Sequence, residues 1–198
     1  ALTVVALAVT ACALAFGQAA GSTSSITFQD GSKYEGEVAG KKPSGRGTCA
    51  FADGAKYEGE WKDGAIEGNG VFTFPDGERY EGGFVQGQFA GKGTFTFANG
   101  DRFEGEFKAG KAEGSGAYTW AADKSRLEAS FAGGVPQGKG TLHLANGDRL
   151  VVEFANGKAG ADVTYYWKDG DSFQGKLVAG TLRTGWLFRG GGAKYPVE

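Results

Sequence analysis

A single histidine, two cysteines and several glutamates spaced one residue apart are the side chains here that could do chemistry. Any Ser-His-Asp or Cys-His arrangement would have to use His143 as its base. The residue sits between Leu142 and Leu144, and the sequence indicates no Ser, Cys or carboxylate beside it. A solvent-facing strand histidine is expected. Cys12 and Cys49 lie 37 residues apart and have no clustered His or carboxylate to complete a metal site. Two cysteines are also too few for a disulfide framework, so both read as small buried hydrophobes. The pairs Glu35/Glu37, Glu58/Glu60 and Glu104/Glu106 resemble acid-base carboxylates, but Lys33, Lys56 and Arg102 precede them. Alternation on a strand puts each pair on one charged, solvated face. Gly68 and Gly70 lack the Lys-Ser/Thr of a phosphate-binding loop and lead into a strand. The sequence thus offers no catalytic residue, no metal ligand set and no cofactor motif, and a non-enzymatic protein is expected.

Recurrence explains why these residues look patterned. Asp30-Gly31, Asp53-Gly54, Asp76-Gly77, Asn99-Gly100, Asp123, Asn146-Gly147 and Asp169-Gly170 follow one another at steps of 23, 23, 23, 24, 23 and 23 residues. A fixed period of this length marks an array of supersecondary units. Before each turn stands an apolar-polar-apolar triplet such as Phe72-Thr73-Phe74, Phe95-Thr96-Phe97 or Tyr165-Tyr166-Trp167. After it comes a second alternating strand; in Lys56-Tyr57-Glu58-Gly59-Glu60-Trp61, Tyr57, Gly59 and Trp61 share one face. The 37 glycines and four prolines fit a turn-dense β protein.

Alternation also sets the length of the turn. A two-residue loop at Asp76-Gly77 would put Phe74 opposite Arg79 and break the aromatic face. A three-residue loop, Pro75-Asp76-Gly77, pairs Phe72 with Tyr80 and Thr73 with Arg79. That is a type I turn closed by a left-handed glycine. The 24-residue step implies a longer turn around Ala121 to Ser125.

The spacing aromatic-x-Gly-x-aromatic-x-x-Gly-x-x-x-Gly-x-Gly resembles the MORN repeat. Tyr57, Gly59, Trp61, Gly64, Gly68 and Gly70 fit it fully, and so do the copies that start at Tyr80 and Phe103. The copy at Tyr34 has Lys41 in place of the middle glycine, and those at Leu127, Leu150 and Phe173 depart further. The resemblance implies about seven repeats from Tyr34 to about Gly190, laid side by side as an elongated single-layer antiparallel sheet of about fifteen strands. It also implies that the strand glycines leave gaps in which aromatic rings lie across the sheet. Members of the family act as docking, dimerisation or membrane-proximal modules.

The expected organisation is an apolar α-helix over residues 1–20, a linker over 21–25, the repeat sheet over 26–190 and a tail over 191–198. No charge precedes Asp30. Ala8/Cys12, Ala11/Ala15 and Ala13/Gly17 are each four apart, a spacing that lets membrane helices pack closely. A retained transmembrane anchor in an organellar membrane, thylakoid or mitochondrial inner, is the leading expectation, and a cleaved leader of a secreted or periplasmic protein is the alternative. A net charge of −2 gives no reason to expect nucleic acid and little to expect lipid headgroups. The expected role is a scaffold or accessory subunit of a membrane-associated assembly, with protein partners. Function should lie where the repeat lapses. His143, Val151 and Tyr166 replace polar residues on three successive strands, and Trp186-Leu187-Phe188 is placed to cap the end of the array.

Overall fold

The computed structural model describes residues 22–190 and 192–197. The helix expected over residues 1–20 lies outside the described residues. So do all six positions expected to pack it against another membrane helix, namely Ala8, Ala11, Cys12, Ala13, Ala15 and Gly17.

Sixteen strands form one antiparallel sheet in sequence order. They are β1 (Ser22–Thr27), β2 (Lys33–Ala39), β3 (Lys42–Ala50), β4 (Lys56–Lys62), β5 (Ala65–Thr73), β6 (Arg79–Val85), β7 (Gln88–Thr96) and β8 (Arg102–Lys108), then β9 (Lys111–Thr119), β10 (Arg126–Ala132), β11 (Val135–His143), β12 (Arg149–Ala155), β13 (Lys158–Tyr166), β14 (Ser172–Val178), β15 (Thr181–Phe188) and β16 (Lys194–Val197). They fall into an N-terminal unit, residues 22–100 with 104–111, and a C-terminal unit, residues 101–103 with 112–197.

The expected turn is present. Phe72 pairs with Tyr80 and Thr73 with Arg79. The Gly77 N–H donates to Phe74 O at 3.0 Å, and the Phe74 N–H donates to Glu78 O at 2.8 Å. Gly77 has φ 89°, the left-handed corner that glycine occupies at least cost. The Asp76 carboxylate accepts the Glu78 N–H at 3.0 Å, which explains why Asp or Asn recurs at this position. The longer turn also appears, with Trp120 and Ser125 bracketing four residues and Lys124 at φ 63°.

Opposite hairpin ends close with two-residue turns. Asp63 and Gly64 both have positive φ, 51° and 89°, as a type I′ turn requires. Several of these turns also reach back one repeat: the Gly64 N–H donates to Pro43 O at 2.9 Å, and that of Gly87 to Ile66 O at 2.9 Å.

Within six of the hairpins the register jumps. Gly59 pairs with Gly70 but Trp61 with Ile66, so Glu60 faces Glu67, Gly68 and Asn69 together. This bulge gives the Glu pairs a structural role: Glu37 accepts the Arg46 N–H at 3.1 Å, and Glu60 the Asn69 N–H at 3.2 Å.

Strand glycines make room for rings, as expected. A Cβ on Gly70 would lie 2.5 Å from Tyr57 Cε2, and one on Gly82 would lie 2.6 Å from Tyr80 Oη. The phenol tips then satisfy strand carbonyls, Tyr57 donating to Glu60 O at 3.0 Å and Tyr80 to Gly83 O at 3.1 Å. Burial pushes the Tyr34 hydroxyl up to about 12. Aromatic edges interlock along this face, with Tyr80 stacked on Phe89 at 3.8 Å between centroids. Cys49 is buried in the same layer. In the C-terminal unit the core is aliphatic as well, with Val152, Val163 and Phe173 at its centre and Leu150, Tyr165 and Leu177 against them.

Two boundaries differ from expectation. Ser22 to Ser25, read as linker, belong to β1 and pair with β2. The segment read as a tail contains β16, which pairs with β15. Trp186, Leu187 and Phe188 therefore lie in the penultimate strand and do not form the end of the sheet. A turn of the repeat type between Arg189 and Ala193 adds the last strand.

Candidate interaction surface

The two units treat their charged faces differently. In the N-terminal unit the cation that opens the strand after each long turn is followed two residues later by a carboxylate: Lys33 by Glu35, Lys56 by Glu58, Arg79 by Glu81. Residues two apart share a face, and Arg79 reaches Glu81 at 2.8 Å. A hollow of about 630 Å³ lies over the glycines here, lined by Glu35, Glu58, Glu60 and Glu81.

In the C-terminal unit that pairing persists at Arg126 and Glu128, which form an ion pair, and then stops. Arg149 is followed by Val151, and Ser172 by Gln174. Pairing across the strands runs His143, Arg149, Tyr166, Ser172, Phe188, Lys194 in one row. The adjacent row runs Thr141, Val151, Thr164, Gln174, Trp186, Pro196. Directly paired residues share a face, so Val151, Tyr166, Trp186 and Phe188 belong to one surface with His143. Two cations lie on its rings: Arg149 stacks 4.0 Å from the Tyr166 centroid, and the Lys194 ammonium 3.9 Å from that of Trp186. Trp186 is 44% exposed despite its size. Val151, Thr164 and Gln174 border a hollow of about 450 Å³ whose rim carries Lys139, Glu153 and Asp162.

The expected patch is thus assembled with three differences. Arg149 stands between His143 and Tyr166, so the surface is cationic and aromatic rather than simply apolar. Leu187 pairs with Phe173 and Tyr195 on the opposite, core-facing side and takes no part. His143 does have a carboxylate neighbour: Glu128 Oε2 lies 3.6 Å from its Nε2. The sequence register put Arg149 opposite His143 but could not show this diagonal approach from β10. Both groups are half exposed, and Arg126 already engages Glu128. No hydroxyl or thiol hydrogen-bonds to the imidazole among the described residues, and the ion pair of the cluster is that of Arg126 with Glu128. Among the described residues no three metal-ligating side chains converge.

Beneath the edge of this surface lies a feature that the sequence reading missed. Asp148, 7% exposed, accepts the Tyr165 hydroxyl at 2.6 Å, the Lys168 N–H at 2.9 Å and the Asn146 side-chain amide at 2.7 Å. The Tyr165 hydroxyl foremost, then the Lys168 amide, hold its carboxyl below the usual carboxylate range. Asp101 repeats the arrangement with Tyr118 at 2.5 Å and the Ala121 N–H at 2.8 Å. One signal was available: Asp stands two residues after Asn at 99 and 146, and after Asp at 169, whereas Ser, Ala or Glu follows Asp at 30, 53, 76 and 123.

Two solved structures resemble the chain to different degrees. The TCP domain of SAS-4 (dCPAP) of Drosophila melanogaster, in complex with a proline-rich motif of Ana2 (dSTIL), is 14% identical with a TM-score of 0.52, covering 94% of this chain and 97% of that one. The TCP10 domain of Danio rerio CPAP, in complex with a peptide of Danio rerio STIL, is 13% identical with a TM-score of 0.36, covering 89% and 99%. At 14% identity the first likeness is one of fold alone. No curated protein matches the chain. The family model described as MORN repeat matches residues 34–56, 57–79, 80–102, 103–122 and 128–149. The hairpins continue past that span through β16, although their sequences have drifted from the pattern. With five consecutive matches over more than half of its length, the chain belongs to the MORN-repeat family.

Proposed function

We propose that this chain is a non-enzymatic interaction scaffold that holds an extended segment of a partner protein on the Val151, Tyr166, Trp186 and Phe188 surface. The observation that carries this reading is Val151 at the position held by Glu35, Glu58 and Glu81 in the early repeats, and Tyr166 at the position held by Thr27, Thr73 and Thr96, beside an exposed Trp186. A solvated face has no need of large rings there, and an exposed aromatic cluster is a surface that binding would cover. The fold shared with a TCP domain in complex with a proline-rich motif supports a peptide-like occupant.

Val151→Glu with Tyr166→Glu should abolish co-purification of the partner while leaving the melting temperature within a few degrees. Undiminished recovery of the same partner would sink the proposal.

The apolar residues 1–20 support a membrane-anchored scaffold within a larger assembly, in an organellar membrane such as the thylakoid or mitochondrial inner membrane. Among the described residues no helix is long and apolar enough to cross a membrane. Intact-mass measurement on the native protein distinguishes the two fates of the segment: retention supports the anchor, and loss of about 15 to 20 residues supports a removed leader.

A further inference from the structure

We infer that the segment taken by this surface is acidic. The inference rests on the docking surface proposed above and adds the chemistry of its occupant.

Early in the chain the cation opening the strand after each long turn has a carboxylate two residues on, and Arg79 and Glu81 form an ion pair in this way. Late in the chain Arg149 and Lys194 keep the cation without the carboxylate, while Ser172 at the same position of β14 is uncharged. Arg149 is followed by Val151 and Lys194 by Pro196, and neither makes an ion pair among those found between described residues. Each lies instead on a ring, Arg149 on Tyr166 and Lys194 on Trp186. A guanidinium or ammonium stacked in this way loses side-chain freedom but keeps hydrogen-bond donors directed to solvent. The rings therefore hold two unanswered positive charges in place at the sheet surface. Asp162 is engaged by Lys176 at 3.0 Å and Glu128 by Arg126, and Glu153, on the rim of the hollow beside Val151, forms no ion pair with Arg149 or Lys194. Ser172 and Gln174 lie between Tyr166 and the β15 rings, adding uncharged, hydrogen-bonding ground between the two cation-ring pairs. Arg149 and Lys194 are four strands apart in the same row, about 19 Å at the usual strand spacing. An extended segment of about six residues spans that distance. Carboxylates near both of its ends would meet both cations, with its middle over the rings and Ser172.

The test uses the full chain and three labelled peptides of one proline-rich backbone, carrying Glu, Gln or Lys at the same positions, with binding read by fluorescence anisotropy. The acidic peptide should bind at least about tenfold tighter than the Gln version and weaken with added salt. Arg149→Glu with Lys194→Glu should reverse the order, so that the Lys peptide binds best. Arg149→Gln with Lys194→Gln should level the three peptides, a check that does not depend on the charge-reversed variant folding. Equal binding of all three peptides to the wild type, or an acidic preference that survives both double variants, would overturn the inference. So would tighter binding to phosphatidylserine vesicles than to the acidic peptide. If none of the peptides binds while Val151→Glu with Tyr166→Glu still releases the partner, the docking surface stands and the acidic assignment fails. If that variant keeps its partner, the docking surface itself fails.

Discussion

The Tyr165 hydroxyl donates to the Asp148 carboxylate at 2.6 Å across seventeen residues of sequence. With the Lys168 N–H on the other oxygen, this contact ties the turn after β11 to the strand and turn of the next repeat. The stability consequence is pH-dependent, and its sign follows from the direction of the shift. Asp148 has its carboxyl held below the ordinary range, so its contribution is present above that range and is lost as pH falls through the lowered value. Tyr165→Phe should lower the melting midpoint at pH 7 by about 2–4 °C, and this deficit should shrink below about pH 4, where the wild type loses the charge-assisted bond. Melting curves across pH check it; a deficit that grows in acid would contradict the assignment.

Asn146 should not tolerate replacement by the aspartate found at most equivalent turns. Its side-chain amide donates to Asp148 Oδ2 at 2.7 Å while its carbonyl takes the Asp148 N–H at 3.0 Å. Asn146→Asp sets two carboxylates against each other and should lower the midpoint by about 3 °C at pH 7, with recovery in mild acid. Asp53→Asn retains an acceptor for the Ala55 N–H and has no such neighbour, so it should change the midpoint by less than about 1 °C.

Strand and turn glycines should differ in what they cost to replace. A Cβ on Gly82 meets Gly93 Cα and Tyr80 Oη, both at 2.6 Å, and neither backbone nor a buried ring can retreat far. Gly82→Ala should destabilise by about 2 kcal/mol or more. At Gly77 nothing lies within 4 Å, and only its φ of 89° resists, so Gly77→Ala should cost about 1 kcal/mol. Urea unfolding of the two variants gives the order.

Lys124 occupies the left-handed corner that glycine fills in the other long turns, with φ 63°. Lys124→Gly should raise stability by about half a kcal/mol, the relief of strain slightly exceeding the entropy that glycine adds to the unfolded chain. Urea unfolding reads this variant too, and a loss of stability would show that the turn holds Lys124 without strain.

The sequence was most informative where a requirement repeats. The three-residue turn followed from keeping Phe72 and Tyr80 on one face, and the ring-over-glycine packing from the position of Gly59 between Tyr57 and Trp61. It was least informative at the edges. Ser22 to Ser25 carry no apolar alternation, and Lys194 to Val197 make a strand too short, and too interrupted by Pro196, to show a period. The Tyr165 and Asp148 contact stayed hidden because it joins positions of different repeats that vary together. For the interaction surface, the sequence marked His143, Val151 and Tyr166, but the register was needed to place Arg149 among them and Leu187 on the far side. The stacking of Lys194 on Trp186 depends on β16, the strand that the sequence did not reveal.

Whether a partner lies over the late strands can be read by placing a photo-crosslinking amino acid at Gln174 and, separately, at the equivalent early positions Glu58 and Glu81. Docking on the late surface requires a partner adduct from position 174, mapped by mass spectrometry to an extended segment of that partner, and little or none from 58 and 81. Equal adducts from all three positions, or adducts only from the early ones, would refute it.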